Sequence, residues 1–448
     1  MILSNSIVQV HLMKLFSISS LFIFSALLSA QAFCQTAGDD SLTLEQAIGM
    51  VVSENPAIQE LISNSVASGA HVDETKSEYY PTVGIEGSYT RLEPASAFSL
   101  PEFGTLDLYP LNNYDAHLGV HQTVYDFDRT KESVELSQSQ VTTTSDKIDQ
   151  MKRDLAFQTS RTFYAIIFSH RSIEVQNEQI DELQQHLETV KKRLASGTAT
   201  DFDVLTIQVR ISAARSVLVD LEDQLRKEEI TLRRLTGIPA TQEIRLHGDF
   251  SAEPVSLNVD SLSGAAVENS LDVKGANDAI LTKQIQIRSA SLTDKPSLAF
   301  NANYGFKNGF FPDIDVLRGN FVAGLELNVP LFDGYRTRGL EEEANANLDA
   351  AEHHKADVES RVRSEVAQAI ADLRATGERL QTAELDVQQA KTALDLAKVK
   401  FDAGVITNLD LLDAQTALQE AQLSRLQSLY NYVVSRIELR RAVGEKIW

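Results

Sequence analysis

Four segments of the chain alternate apolar and polar residues. In 81–92, Val83, Ile85, Gly87 and Tyr89 alternate with Thr82, Glu86, Ser88 and Thr90. In 114–125, Tyr114, Ala116, Leu118, Val120 and Val124 alternate with Asp115, His117, His121 and Thr123. In 296–305, Leu298, Phe300, Ala302 and Tyr304 alternate with Ser297, Asn301 and Asn303, and 320–331 runs Phe321, Ala323, Leu325, Leu327, Val329, Leu331 around Glu326 and Asn328. A period of two is the strand period, and about ten residues with one apolar face is the pattern of a strand that crosses a membrane. Aromatic residues (Tyr79, Tyr80, Tyr125, Phe310, Phe311, Phe332) gather at the segment ends, as an interfacial girdle requires. A soluble antiparallel sheet with one wet face would share the alternation. Four strands cannot close a barrel, and an open sheet in lipid would leave unpaired edges. Membrane-crossing strands here therefore require several chains to share one barrel.

The rest of the chain follows the helical period. Residues 129–196 contain no Gly or Pro, which predicts a helix of about 100 Å. Residues 336–403 predict a second helix of the same length, 57–78 and 272–294 shorter helices before the strands, and 198–236 and 405–443 medium helices after the long ones. End to end, a short and a medium helix nearly match a long one, so each half reads as an antiparallel pair of one continuous and one broken rod. Val204, Ile207, Ile211, Ala214, Leu218, Leu221, Leu225, Leu232 and Leu235 keep alternating spacings of three and four, broken only by Glu228. In the second medium helix the seam shifts from Leu411, Ala414, Leu418, Ala421 to Leu423, Leu426, Tyr430, Val433, Ile437. That shift predicts a second packing partner, and helices with neighbours on two sides can close into a hollow cylinder.

The chain is one unit written twice. At an offset of 207, Arg129, Lys191, Gly197, Thr200, Asp203, Leu205, Gln208 and Gly237 recur as Arg336, Lys398, Gly404, Thr407, Asp410, Leu412, Gln415 and Gly444, without a gap. Upstream, Pro81 and Tyr89 recur as Pro296 and Tyr304 at an offset of 215, so the first copy has a longer loop within 92–113. The expected organisation is a signal peptide over 1–32, a first repeat over 42–237, a linker over 238–260 and a second repeat over 261–448. The signal is read from Lys14, the apolar run Leu15–Leu28 and the Ser29-Ala30-Gln31-Ala32 cleavage pattern, with Met13 as an alternative start. Cys34, the single cysteine, follows Gln31 and Phe33 rather than the leucine and small residue that lipidation needs, and it excludes an internal disulfide framework.

Composition changes the picture in three ways. Only 21 Gly and 10 Pro occur in 448 residues, which suits long rods. The formal net charge of −22 excludes the basic signature of a nucleic-acid binder. No apolar run reaches 18 residues, so no ordinary transmembrane helix is expected. No nucleophile elbow, P-loop, GxGxxG or HExxH occurs, and His117 and His121 lie roughly 13 Å apart on a strand, so no enzyme, cofactor or metal site is expected.

Over about 42–444 the chain resembles the TolC-like outer-membrane efflux proteins. The resemblance rests on the duplicated strand–Asp–helix junction and on two turns of pattern G-x-x-T-x-x-D-[VL]-L: Gly197-Thr198-Ala199-Thr200-Asp201-Phe202-Asp203-Val204-Leu205 and Gly404-Val405-Ile406-Thr407-Asn408-Leu409-Asp410-Leu411-Leu412. It implies a mainly α chain with a transmembrane β portion: a homotrimer with a shared twelve-stranded β-barrel in outer-membrane lipid and an α-barrel across the periplasm. It further implies a duct for efflux, with tips that meet a periplasmic adaptor (membrane fusion protein) bound to an inner-membrane pump of RND or ABC type. The alternatives are the outer-membrane duct of a type I protein secretion system and, in a different class, a secreted coiled-coil scaffold without a pore.

Thr200 with Asp203 and Thr407 with Asp410 fit helix capping. Asp413 is not explained that way, and it shares a helix face with Asp410. The resemblance gives Asp410 and Asp413 the role of lining the periplasmic constriction and Asp203 that of holding the closed tip. It also makes Gly197, Thr200, Gly404 and Thr407 the adaptor-docking tips. Some relatives latch the tip with an arginine where this chain has Ile406 and a tyrosine where it has Phe401, so that latch cannot form here in the same way. In a duct, the negative charge implies an acidic conduit that favours cations.

Overall fold

The computed structural model describes residues 41–446 except 95–96, 101–103, 249 and 253–258. The expected signal peptide, Met13 and Cys34 lie outside the described residues.

Each half begins with two helices where the sequence suggested one. Helix α1 (Leu44–Glu54) opens with a capping box between Thr43 and Gln46, and α2 (Pro56–Lys76) follows one residue later. Asn55 makes the break. Its Oδ1 accepts from the Ala57 N–H at 3.0 Å, and Pro56 occupies the first helical turn, where the missing N–H costs nothing. Strands β1 (Thr82–Arg91) and β4 (Asn112–Tyr125) flank a small hairpin of β2 (Ala97–Leu100) and β3 (Gly104–Asp107), which fills the longer loop. Helices α3 (Arg129–Ala195) and α4 (Asp201–Thr236) complete the half. The second half carries α5 (Val259–Asn269), α6 (Leu271–Ser291), β5 (Ser297–Lys307), β6 (Arg318–Asn328), α7 (Arg336–Asp402) and α8 (Asn408–Ala442).

Helices α3 and α7 each have 67 residues, about 100 Å of rod. Both are anchored at the strand junction in one way. Asp126 Oδ2 accepts from the Thr130 N–H at 2.8 Å and from its hydroxyl at 2.6 Å, and Asp333 Oδ2 does the same for Thr337 at 2.8 and 2.6 Å.

The broken rods pack along the continuous ones. Helices α2 and α4 lie on α3, and α6 and α8 lie on α7. Asn55 Nδ2 donates to the Leu235 carbonyl at 3.0 Å, tying the α1–α2 break to the end of α4. In the second half Gly444, just past α8, abuts Asn269 at the α5–α6 break; a Cβ on Gly444 would stand 2.9 Å from the Asn269 carbonyl oxygen. Helices α6 and α8 also pack against α3, which gives α8 the second partner that its shifting seam predicts. Two of the apolar clusters lie well apart along the rods. One joins Phe163, Val366, Ile370 and Val433, and the other, nearer the turns, joins Leu183, Val190, Ile207, Ile211 and Leu412.

The main sheet is antiparallel with order β1-β4-β5-β6. Its register merges the alternating positions into two faces. Ile85 pairs with Leu118, Leu118 with Tyr304 and Tyr304 with Phe321, giving one apolar row across all four strands. Glu86 pairs with His117, His121 with Asn301 and Ala299 with Glu326 on the other face. Paired residues share a face, so the two-sidedness is a property of the sheet and not of single strands. The apolar face is bare: Ile85 is 84% exposed and Leu325 67%. Gly305 is required where β4 and β5 approach, since a Cβ there would overlap the Ala116 carbonyl and His117 Cα. Among the described residues, nothing pairs with the outer edges of β1 and β6.

Candidate functional site

The two tips are near-copies in backbone. After α3, Gly197 adopts φ 76°, its N–H reaches Leu194 O at 2.9 Å and the Thr198 N–H reaches Arg193 O at 2.9 Å. After α7, Gly404 adopts φ 71°, with Val405 N–H on Lys400 O at 2.9 Å. Left-handed backbone at this position is why glycine ends each long helix. The next helices start at Asp201 and Asn408, three residues later than the expected starts at 198 and 405. The capping box sets that start, because the N-cap residue is itself non-helical. Asp203 N–H donates to Thr200 Oγ1 at 3.2 Å, while Asp203 Oδ2 accepts from the Thr200 N–H at 2.9 Å and hydroxyl at 2.7 Å. Thr407 and Asp410 repeat this at 3.2, 2.8 and 2.7 Å. The Thr hydroxyl, then its backbone N–H, hold the Asp203 and Asp410 carboxyls below their ordinary range.

Asp410 and Asp413 stand three residues apart on α8, both exposed. Each already has a partner: Asp410 turns back on Thr407, and Asp413 Oδ1 lies 3.0 Å from Arg210 Nη2 of the first hairpin. Asp203 faces the second hairpin through its carbonyl, 3.5 Å from Asn408 Nδ2. The structure thus brings Asp203 and Asp413 to one inter-hairpin junction and leaves Asp410 in its own cap.

That junction holds residues the sequence reading missed. His186 of α3, only 8% exposed, lies with Nε2 2.6 Å from Asn408 Oδ1, and its ring meets Phe401 edge-on. Burial pushes the imidazole pKa down, against the Asn408 hydrogen bond; Arg193 lowers it further, and Asp203 and Asp402 raise it. The Arg193 guanidinium sits 4.3 Å over the Phe401 ring and 3.0 Å from Asp402. Phe401 is therefore a buried platform in place of the tyrosine of some relatives, and Ile406 packs with the nearby apolar cluster. Deeper in, Gln176 is buried; its Nε2 donates to the Ala214 carbonyl and its Oε1 accepts from Gln419, each at 2.9 Å. These residues could have been flagged by their lack of a match 207 positions away: His186 stands against Ala393 and Arg210 against Ala417.

The protomer's outer flanks are the opposite in character. On α4, Phe202, Leu205, Val209, Ser212, Ser216 and Val219 form an exposed stripe at alternating three and four spacing. On α7, Leu385, Gln389, Thr392, Leu396 and Val399 form another. Among the described residues, no group of His, Cys, Asp or Glu could hold a metal ion, and no helix is long and apolar enough to cross a membrane. On the polar face of the sheet, His117 contacts Asp115 at 3.1 Å and His121 contacts Asn301 at 2.7 Å, so the two histidines share no site.

Residues 47–238 and 262–445 match the family described as outer membrane efflux protein. Outer membrane protein TolC of Vibrio cholerae serotype O1 is 25% identical over 301 residues, spanning 65% of this chain and 68% of that protein. Alkaline protease secretion protein AprF of Pseudomonas aeruginosa is 20% identical over 340 residues, 74% of this chain and 70% of the other. The crystal structure of the Campylobacter jejuni CmeC outer membrane channel has the same fold, with a TM-score of 0.76 at 14% identity over 90% of this chain and 85% of that one.

Proposed function

Because the chain belongs to the outer membrane efflux protein family, we propose that three copies close into one duct that carries efflux cargo from the periplasm through the outer membrane. The observation that carries this reading is the four-stranded sheet, apolar on one face and polar on the other, with two open edges. Pairing β6 of one copy with β1 of the next removes every edge and gives twelve strands, an allowed even number for an outer-membrane barrel.

The helices support the same closure. Inside the protomer, α3 of the first hairpin meets α8 of the second. The repeat makes α7 the counterpart of α3 and α4 the counterpart of α8. Applied once more, that contact sets α7 of one copy against α4 of the next, which brings the two exposed stripes together. Three copies then alternate internal and external junctions around a tube about 100 Å long.

The remaining roles follow from this ring. The domain plan is two repeats, 42–237 and 261–448, joined by 238–260 after removal of 1–32. Asp410 and Asp413 form stacked carboxylate rings that narrow the tip and favour cations, with Asp203 supporting the closed form. Gly197, Thr200, Gly404 and Thr407 shape the ends that meet a periplasmic adaptor. An inner-membrane pump of RND or ABC type supplies the energy and selects the cargo, and the duct performs no chemistry. Likeness to a protein named for alkaline protease secretion favours, as a second reading, service in a type I secretion system.

Outer-membrane fractionation with heat-modifiable migration tests the ring; a monomeric, freely soluble periplasmic protein would defeat it. Conductance recording tests the constriction. Asp410→Ala with Asp413→Ala is expected to weaken cation selectivity and divalent block, and unchanged values of both would remove that role.

A further inference from the structure

Where the rods meet the sheet, one arginine ties the first half of the chain to the second. Arg129, the first residue of α3, donates from Nη2 to the Leu292 carbonyl at 3.2 Å and to the Lys295 carbonyl at 2.9 Å. Those carbonyls belong to the tight turn between α6 and β5, in which the Lys295 N–H reaches the Leu292 carbonyl at 3.2 Å. A charged donor on two backbone acceptors makes a strong contact. It is also indifferent to the side chains of the turn, since every residue brings a carbonyl.

The repeat supplies both sides of this contact a second time. Moved by 207 positions, Arg129 becomes Arg336, the first residue of α7. Moved back by 215 positions, Leu292 and Lys295 become Ser77 and Tyr80, in the turn between α2 and β1. Each side keeps its backbone. Asp333 holds Thr337 as Asp126 holds Thr130, so the two arginines leave their helices from matching anchors. The Tyr80 N–H reaches the Ser77 carbonyl at 2.9 Å, the same bond that shapes the other turn. The difference lies in the partner. Arg129 is half-buried on its turn, whereas Arg336 is exposed and its side chain meets no partner among the described residues. Ser77 and Tyr80 are exposed as well. Arg336 follows the edge strand β6 and the Ser77–Tyr80 turn precedes the edge strand β1, so the two lie at opposite edges of the sheet and at the same end of it.

We propose that Arg336 of each copy grips the Ser77 and Tyr80 carbonyls of the next, completing a ring of six arginine-to-turn contacts, three within subunits and three between them. The proposal rests on the duct reading. The other ties of the internal joint do not carry over. Arg288 bridges Glu132 at 2.9 Å and Glu135 at 2.6 Å, Lys274 meets Asp146 at 2.8 Å and Arg153 meets Asp272 at 3.2 Å. Their counterparts between copies are Asp73 with Gly339 and Glu342, Gln59 with His353, and Ala57 with Ser360, and none is an ion pair. Arg336 keeps its contact because its acceptors are backbone. Held there, it fixes the height of β1 in one copy against β6 in the other. That sets the register of the closing strand pair, in which a slip of one residue would exchange the apolar and polar faces.

Cross-linking and trimer survival of the full-length protein test this. In a Cys34→Ser background, Ser77→Cys with Arg338→Cys is expected to join separate chains through a short bis-maleimide. Arg336→Ala is expected to speed dissociation of the trimer in SDS about tenfold, with helix content by circular dichroism unchanged. Arg336→Lys, which still donates to both carbonyls, is expected to recover most of that loss. Arg338→Ala is expected to match the parent, since its guanidinium is held by Glu342 of its own helix at 2.9 Å. Arg129→Ala is expected to open the 292–295 turn to proteolysis within each chain. Trimers that cross-link but dissociate no faster in Arg336→Ala, or as fast in Arg338→Ala, overturn the proposal and leave the duct reading in place. A loss in Arg336→Ala seen only with anionic phospholipid present assigns the arginine to lipid headgroups and overturns it too. Chains that neither cross-link nor form trimers remove the duct reading and the contact with it.

Discussion

The first and second hairpins share a turn and differ in their surroundings. Gly197 and Gly404 have φ 76° and 71°, and Thr200 and Thr407 cap the next helix with the same three hydrogen bonds. Beyond each cap the likeness ends: Leu205 is 59% exposed and its counterpart Leu412 is fully buried. A turn is fixed by local backbone demands, so duplication preserved it. A helix face is fixed by its neighbour, and the two faces differ in this: Leu412 packs inside the protomer, while Leu205 is left bare for the neighbouring copy proposed above. Sequence identity between the copies therefore reports shared local geometry and not a shared neighbour, since Leu205 and Leu412 are identical and only one is buried.

This contrast can be broken at several points. Leu412→Ala removes buried surface and leaves a cavity, so it is expected to lower stability in thermal melts by about 2–5 kcal/mol. Leu205→Ala is expected to leave the melt of the chain little changed and to weaken the trimer on semi-native gels; equal loss of chain stability in both variants would show that the two faces are not distinct. Gly197→Val and Gly404→Val force a β-branched residue into left-handed backbone and are expected to cost about 1–2 kcal/mol each, by the same amount, in the same melts. Thr200→Ala and Thr407→Ala should each cost about 1 kcal/mol and speed proteolysis at the tips.

The smallest effect is acid. The folded-state pKa values of Asp203 and Asp410 are depressed, so the stability from their caps is fully present above the unfolded carboxyl value near 3.9 and is lost as pH falls through the lower folded value. Limited proteolysis of the two tips should therefore show no change attributable to the caps between about pH 7 and 5, and a parallel rise in cleavage well below pH 4.

Much of the fold was legible because it obeys short-range rules. Alternation placed four strands of the main sheet, Gly and Pro scarcity placed the rods, and the repeated Gly and Thr placed the tips. The expected helix over 57–78 begins at the Asn55-Pro56 break; helix α1 before it was not expected, although Thr43 and Gln46 stand at capping-box spacing. The β2–β3 hairpin was missed because it lies in the one segment that the repeat does not share. The helices start at Asp201 and Asn408 because Thr200 and Thr407 are N-caps, whereas the expected spans 198–236 and 405–443 began directly after the glycines. At the candidate site the capping of Thr200 and Thr407 was readable. The His186–Asn408 contact was not, since 222 residues separate the partners, Asn408 fills a variable position of the second turn and His186 lies in no motif.

The paired 67-residue helices also make the protein a ruler. The distance from sheet to tip is written in residue number, at about 1.5 Å per position, and no loop along either rod can absorb a change. A deletion in α3 alone would slide its side chains past those of α4 and break the seam. Only matched removal of whole heptads from every rod shortens the tube coherently, by about 10 Å each time. The gap this duct can bridge is thus set in coarse steps, and whatever meets its tips must come to a fixed height.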